Sequence, residues 1–244
     1  MRVARGAIES RHPPCGPTES VRPSGSGVVQ GTQHEISGRV ESHRLRRLLG
    51  KEGLMSILEP IQDRRSVRTY TSRPVNEQVV NELLEAARLA PSGSNAQPWR
   101  FIVVRSDAMR QQLASVCHDQ QWMAEAPVHI VCVADVQAQF KEYHALSVDE
   151  YSPEPEVKRV IRCTAIGIEH LVLQAQSLGL STCWVAWFAQ EDIRPVLGIP
   201  EDKFIVAVIT VGYSDDRPAP RPRKGLGEIV HYETWSENSG RAGS

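Results

Sequence analysis

Residues 160–178 constrain the fold more than any other stretch, because they predict a long helix that is apolar on most of its circumference. Its apolar positions are Ile161, Ile166, Ile168, Leu171, Val172, Leu173, Ala175 and Leu178. A helix that is apolar nearly all round must be covered on several sides. We therefore expect this helix to lie inside the domain and to be covered partly by a subunit interface. Gly179 is expected to end it as a C-cap glycine does.

Helix and strand patterns alternate around this central helix. Residues 76–90 predict a helix that begins at Asn76, with an inward stripe of Val79, Val80, Leu83, Leu84 and Ala87. Residues 107–117 predict a second helix, and the predicted strands are 99–105, 128–134, 182–187 and 204–211. The polar, proline-bearing segment 141–157 is long enough to be a lid. The chain is therefore of mixed α and β composition.

Composition excludes several classes of function. The 244 residues carry a formal net charge of −1, so charge gives no case for binding nucleic acid or a membrane surface. No apolar run approaches the roughly 20 residues that span a bilayer. The five cysteines form no Cys-x-x-Cys pair and sit mostly in apolar surroundings. They predict reduced, buried thiols and a cytoplasmic protein. The histidines and cysteines lack metal-ligand spacing, so we expect no metal site.

The chain divides unevenly along its length. Residues 1–54 are rich in Arg, Ser, Gly and Pro and carry nine basic and five acidic residues, or +4, against −5 in the remainder. We predict a disordered extension, because this composition buries too little apolar surface to offset chain entropy. A start codon assigned too far upstream or a transit segment would both explain it. Residues 55–235 form the predicted folded domain, and residues 236–244 a flexible tail.

Two short segments carry the side chains that suggest chemistry. The first, residues 64–68, places the guanidinium groups of Arg64, Arg65 and Arg68 beside the hydroxyl of Ser66. Guanidinium forks bind phosphate well. The second segment, residues 90–99, is a turn dense in small and amide side chains that leads into an apolar run. Such a turn lets backbone groups approach a polyol or a heterocycle closely.

This pair of segments, in this order, resembles the flavin-binding signature of the nitroreductase family. Two further parts follow in the family's order, the block 168–188 and the tail 212–235, which resembles that of compact bacterial and archaeal members. The resemblance covers residues 55–235. It implies an α+β fold, a three-layer α/β/α sandwich with a mixed, largely antiparallel central sheet. It also implies an intertwined homodimer with two FMN molecules at the interface.

The resemblance assigns the arginine segment to the FMN of its own subunit. Arg64, Arg65 and Ser66 are expected to contact the phosphate or ribityl chain, and Arg68 to lie near N1 and O2 of the isoalloxazine. Two-electron reduction leaves negative charge at N1 and O2, so a fixed guanidinium there favours the reduced state.

Other parts of the chain are expected to complete the site. Arg223 and Lys224 would close over the phosphate, and the backbone amides of Ala186 and Trp187 would face flavin N5 and O4. The partner subunit would supply the ring-lining loop, whose members are Pro91, Ser92, Gly93, Asn95 and Gln97, with Gln97 equally interpretable as a turn residue. Trp122, Tyr143 and Tyr151 are candidates for the acceptor pocket or for packing.

The resemblance implies an FMN-dependent oxidoreductase with NADPH or NADH as co-substrate. Hydride would pass through flavin N5 to an electron-poor small molecule, a nitroaromatic, quinone or enone, by a ping-pong mechanism. Flavin N5 carries the chemistry, so no side chain is assigned as a catalytic acid or base. Alternatives are a specialised enzyme of the same fold (dehalogenase, flavin-fragmenting or dehydrogenase type) and a non-catalytic FMN-binding protein. Trp187 stands where the family often has a small residue, which would restrict acceptors to flat or small ones.

Overall fold

The computed structural model describes residues 57–142 and 147–235. The predicted extension 1–54, the tail 236–244, Tyr143 and part of the candidate lid lie outside these ranges. The domain boundaries therefore stay a prediction.

The described chain forms helices on both sides of one sheet. Its helices are α1 (Glu59–Asp63), α2 (Glu77–Arg88), α3 (Asp107–Val116), α4 (Pro155–Ser177), α5 (Gln190–Leu197) and α6 (Leu226–Ile229). Its strands are β1 (Trp99–Val104), β2 (Val128–Asp135), β3 (Ser181–Val185) and β4 (Lys203–Gly212). Short 3₁₀ turns occupy Gly93–Asn95, Gln121–Glu125 and Val136–Ala138.

The four strands pair antiparallel in the order β1-β2-β4-β3. A single parallel bridge joins Ser66 to Thr182 outside β3, which makes the extended sheet mixed. Strands β1 and β3 are thus the two edges of the sheet, and the edge at β3 is partly covered by the segment around Ser66.

Alternate residues of β2 and β4 face opposite helical layers, as the period of two in a strand requires. On one face, β2 and β4 pack against α2 and α4 through a buried cluster that includes Leu83, Ile130, Leu171 and Ile209. On the other face, they pack against α3, α5 and the turn Gln121–Glu125. This arrangement is the predicted three-layer α/β/α sandwich.

Most predicted elements are confirmed. Asn76 caps α2, since its side-chain oxygen accepts a hydrogen bond from the Val79 N–H at 2.8 Å. Gly179 follows α4 with a left-handed φ of 73°. The four described cysteines are buried and free.

Three details of the predicted elements were wrong. The strand predicted over 182–187 ends at Val185, because its last register pair is with Val208 and the chain then turns toward α5. Helix α4 begins at Pro155, earlier than predicted, because proline is well suited to the first helical turn. The prediction also missed α5. This helix is short, and Pro195 within it interrupts the helical sequence pattern. Within the described ranges, no helix is both long and apolar enough to cross a bilayer.

A buried histidine and an arginine anchor the 3₁₀ turn Gln121–Glu125. His129 Nε2 lies 2.7 Å from the Met123 carbonyl oxygen, and Arg110 donates to the carbonyl oxygens of Ala124 and, at 2.7 Å, Ala126. Burial lowers the pKa of His129 to about 4. His129 is therefore neutral near pH 7, with its Nε2–H donated to Met123.

This histidine should make stability depend on pH. Its side chain takes up a proton near pH 6.5 in the unfolded chain but only near pH 4 in the folded one. The free energy of unfolding should then fall by about 3 kcal/mol as pH drops through that window, because only the unfolded state gains the proton. Urea unfolding at one protein concentration, between about pH 7.5 and 4.5, measures this.

The matched variant is His129→Gln, which keeps an N–H donor for Met123 and does not titrate. It should lose most of the pH slope relative to the unaltered protein. An identical slope in both proteins would contradict the assignment.

Candidate active site

Residues 64–68 run beside the outer edge of β3. The Val67 N–H donates to the Thr182 carbonyl at 3.0 Å, and Ser66 bridges Thr182 in parallel register. Val67 is 4% exposed and points into the protein, while Ser66 and Arg68 on either side of it are exposed. The alternation of an extended chain therefore buries the valine and presents the hydroxyl and the guanidinium outward.

Tyr70 holds residues 64–68 in place through a hydrogen bond to the backbone of Val67. Its hydroxyl donates to the Val67 carbonyl at 2.8 Å and lies 2.7 Å from Thr210 Oγ1. The ring passes so close to Gly212 that a Cβ built there would lie 2.8 Å from it and 2.7 Å from Pro127, so β4 must end in glycine at this position. Burial raises the pKa of Tyr70, which keeps the phenol neutral.

The arginine segment and the C-terminal stretch 216–223 enclose a cleft of about 610 Å³. Ligand sites of proteins commonly have volumes of about 300–1,000 Å³. The cleft is lined by Ile57, Ile61, Gln62, Arg64, Arg65, Ser66, Arg68, Asp216, Pro218, Ala219, Pro220, Arg221 and Arg223. Five arginines thus face a single carboxylate, and the cleft has a strong positive charge.

The cleft arginines have no carboxylate of their own. Within the described residues, no ion pair involves any of the five. Asp216 accepts a hydrogen bond from the Thr69 hydroxyl at 3.1 Å. One Arg65 nitrogen donates to the carbonyls of Gln62 and Arg64, at 2.7 and 2.8 Å, while its buried Nε has no partner in this part of the chain. Unpaired guanidinium groups and a buried unused donor suit an anionic ligand with several acceptor oxygens, such as a phosphate ester.

Arg68 lies at the end of the cleft that borders the 3₁₀ turn Gln121–Glu125. Its guanidinium carbon is 5.6 Å from the ring centre of Trp122, within the range of a cation–π contact. Burial raises the pKa of the nearby Cys183 thiol, and the charges of Arg68 and Arg64 oppose that rise. Cys183 thus stays a neutral packing residue beside the arginines.

The second signature segment forms a tight, exposed loop before β1. Ser94, Asn95 and Gln97 have φ values of 53°, 53° and 48°, so the backbone turns through left-handed positions. The Ser92 hydroxyl accepts the Gln97 N–H at 2.9 Å and braces the loop. Pro91, Gly93 and Asn95 are exposed on the described chain.

This loop and the arginine segment lie far apart in one chain. Sheet strands are about 4.8 Å apart and rise about 3.3 Å per residue. Residues 64–68 lie beyond β3 and the loop leads into β1, so the full width of the sheet separates them. The register pairs place Trp99 beside Phe204 of β4, through Ala134 of β2, and place Thr182 beside Val211 of β4. The two segments are therefore also offset along the strand direction, from Phe204 to Val211. The two segments are therefore separated by roughly 30 Å, too far for one small cofactor to bridge.

Ala186 and Trp187 lie beyond the end of β3 and are both exposed. Among the described residues, the turn and loop hydrogen bonds include none from either backbone N–H. Trp187 stacks on the His118 imidazole, with ring centroids 4.1 Å apart. Two backbone donors and an aromatic ring are thus presented together.

The residues around the cleft differ in part from those that the sequence singled out. Arg221 lines the cleft, whereas Lys224 lies outside its lining. Trp122 and Tyr151 were both candidates for the acceptor pocket or for packing. Trp122 contacts Arg68, whereas Tyr151 is 90% exposed. The stacking of His118 on Trp187 has no signal in the sequence, because the two residues belong to distant segments.

Comparison with known proteins bears on the whole domain. The Nitroreductase family model matches residues 61–213. A protein of Methanothermobacter thermautotrophicus with the provisional name NADH dehydrogenase/NAD(P)H nitroreductase is 32% identical over 190 residues, 76% of this chain and 91% of the relative. The FMN reductase [NAD(P)H] of Bacillus subtilis is 24% identical over 184 residues, 73% of this chain and 74% of the relative.

A solved structure agrees with the sequence matches. The FMN-dependent nitroreductase of Clostridium difficile R20291 superposes with a TM-score of 0.60 at 25% identity and covers 73% of this chain and 100% of its own. The match of the family model, residues 61–213, spans the arginine segment, the exposed loop and all four strands. This chain belongs to the nitroreductase family.

Proposed function

We propose that this chain is an FMN-dependent oxidoreductase that takes hydride from NADPH or NADH and passes it to an electron-poor small molecule. Nitroaromatics, quinones and enones are the acceptor classes, used in a ping-pong cycle in which nicotinamide leaves before the acceptor enters. Membership of the nitroreductase family supports the flavin and the nicotinamide, and the relatives named as FMN reductase and NAD(P)H nitroreductase support the reaction class.

The observation that carries the proposal is a cleft lined by five arginines that form no ion pair with residues 57–142 or 147–235. FMN has a phosphate of nearly two negative charges on a polyol chain, and charge-assisted bonds from guanidinium groups are the strong way to hold such a group. Arg64, Arg65, Arg221 and Arg223 supply the charge, and the Ser66 hydroxyl suits a phosphate or ribityl oxygen. The residues present therefore fit FMN.

When bound, FMN supplies the redox chemistry, since it accepts two electrons from reduced nicotinamide and returns them to the acceptor. Arg68 would stabilise the negative charge that develops on the reduced ring, and its contact with Trp122 would keep the guanidinium oriented. The backbone N–H groups of Ala186 and Trp187, which form no hydrogen bond within the described part of the chain, would donate to the ring edge. No side chain of the cleft needs to act as a proton donor, because solvent reaches this open site.

The separation of the two signature segments supports a homodimer. If the loop 91–97 lines the flavin, it must come from a second copy of the chain, because its own copy of the loop is too distant. The C-terminal arm presents large apolar side chains to solvent, each more than half exposed: Leu226, Ile229, Tyr232 and Trp235. Ile57, Leu58 and Ile61 are also more than half exposed, and Ile57 and Ile61 line the cleft. Such patches mark protein interfaces.

A cytoplasmic location fits the same reading, because free buried thiols are typical of reducing compartments.

Anaerobic titration with NADPH and NADH tests the proposal. The FMN-loaded protein should lose its flavin absorption bands with at least one of the two nicotinamides and regain them on addition of 1,4-naphthoquinone. Bands that persist with both donors would contradict the reductase and favour the non-catalytic alternative. Reduction that no nitroaromatic, quinone or enone reverses would favour a specialised enzyme of the same fold.

Arg68→Ala extends this test to the electrostatic role. The rate of flavin reduction should fall about tenfold or more while FMN affinity changes much less, since a guanidinium near the ring acts on developing charge. Arg88→Ala, which removes an exposed helix-end arginine paired with Glu85, is the control and should leave both unchanged. Equal losses of reduction rate and affinity in Arg68→Ala would contradict its role.

Mixing two defective variants tests the shared site. One variant carries both Arg64→Glu and Arg223→Glu, which should disable the cleft. The other carries Gly93→Trp, which should block the loop, so neither homodimer should hold FMN. Random subunit exchange should restore about a quarter of the normal sites, because each mixed dimer has one intact cleft facing one intact loop. Flavin content after joint refolding measures this. No recovery, with mixed dimers present by mass, would contradict a site built from two subunits.

A further inference from the structure

Trp187 combines high exposure with a fixed orientation. Its side chain is 65% exposed, yet one face is covered by the imidazole of His118 at a centroid distance of 4.1 Å and an interplanar angle of 22°. This is a stacked pair between two distant segments of the chain. One face of the indole is therefore supported by protein while much of the ring remains in contact with solvent.

His118 is held by a turn of unusual backbone geometry. His118 and Asp119 end α3 with consecutive left-handed φ values of 57° and 52°. Backbone hydrogen bonds of 3.1 and 3.0 Å from Asp119 and Gln120 return to α3, and Gln120 Nε2 binds the Cys117 carbonyl at 2.9 Å. Non-glycine residues adopt such conformations only where the surroundings determine them, and these positions cluster at functional sites.

The same turn leads directly to the aromatic residue at the cleft. Trp122 follows His118 by four residues and contacts Arg68. The 3₁₀ turn that carries Trp122 is anchored underneath by the bonds of His129 and Arg110 to its carbonyls. The backbone from His118 to Trp122 thus joins two contacts, that of Trp122 with Arg68 and that of His118 with Trp187. A second rigid aromatic surface stands near the place where Arg68 and the free N–H groups are proposed to meet the flavin ring.

We propose that the His118–Trp187 stack determines acceptor specificity by offering its open indole face to planar aromatic acceptors. The inference rests on the proposed function and deepens it by naming the substrate class. A flat aromatic ring that is poor in electrons stacks on the electron-rich indole, whereas a small aliphatic acceptor gains nothing from that face. His118 is a positioning residue, because it acts by keeping Trp187 in place.

The test separates acceptor binding from the rest of the cycle. In Trp187→Ala, the KM for 1,4-naphthoquinone should rise about three- to tenfold, the range expected for one aromatic stacking contact. The kcat, the kcat/KM for 2-cyclohexenone and the rate of flavin reduction by the nicotinamide should stay within about twofold, since stacking adds to binding alone. Trp187→Phe should restore most of the loss, and His118→Ala should reproduce part of it.

A binding measurement without turnover accompanies the kinetics. The dissociation constant of 2-naphthoate, a flat aromatic that accepts no electrons, should rise in Trp187→Ala by the same factor as the KM. Because this arm needs no reduction, it still tests the stacking surface if the proposed reductase activity fails. Arg88→Ala, which removes an exposed side chain at the end of α2, is the control and should leave both quantities unchanged.

Three results would overturn the proposal. Equal effects on naphthoquinone and cyclohexenone would mean that Trp187 supports the site in general. A lower KM for naphthoquinone in Trp187→Ala, or unchanged binding of 2-naphthoate, would mean that the indole obstructs flat acceptors or does not touch them.

Discussion

The short pairing of residues 64–68 with the edge of β3 determines where Arg64, Arg65, Ser66 and Arg68 present their side chains. One backbone bond, from Val67 to Thr182 at 3.0 Å, and the buried Val67 side chain hold the segment in an extended form. Tyr70 reinforces it through the Val67 carbonyl, in a space that only the glycine at position 212 leaves open. A sheet edge is a surface of unpaired backbone groups, and here the protein uses it to align cationic side chains along one cleft.

The same sheet keeps the two segments of the proposed site apart in one chain. The arginine segment extends one edge, and the amide-rich loop leads into the strand at the other edge. The width of the sheet therefore separates the charged part of the proposed cofactor site from its small polar part. In the proposed homodimer, association of two copies would bring both parts to one flavin.

The sequence predicted those features that depend on local patterns. The Asn76 cap, the buried strand 128–134 and the glycine after the central helix each follow from a few adjacent residues. Helix α5 was missed because Pro195 lies within it and its pattern is short. The strand predicted over 182–187 was two residues too long at its end, because an apolar run does not show where pairing with the neighbouring strand stops.

The site was predictable in its charge but not in its detailed geometry. The arginines of residues 64–68 and Arg223 do line one cleft, as a positively charged site for an anionic ligand requires. In the stretch after β4, proline-rich spacing does not say which side chain faces the cleft, so Arg221 was overlooked and Lys224 was chosen. The contacts of Arg68 with Trp122 and of His118 with Trp187 depend on tertiary packing and leave no local pattern.

The affinities of FMN and riboflavin for the flavin-free protein test the central claim most directly, because the two ligands differ only in the phosphate. If the arginine cleft binds that phosphate, FMN should bind about a hundredfold more tightly, given two or more charge-assisted hydrogen bonds. Arg223→Ala should reduce this ratio while leaving riboflavin binding unchanged. Equal affinities for the two flavins, or a ratio that survives loss of the cleft arginines, would contradict the account.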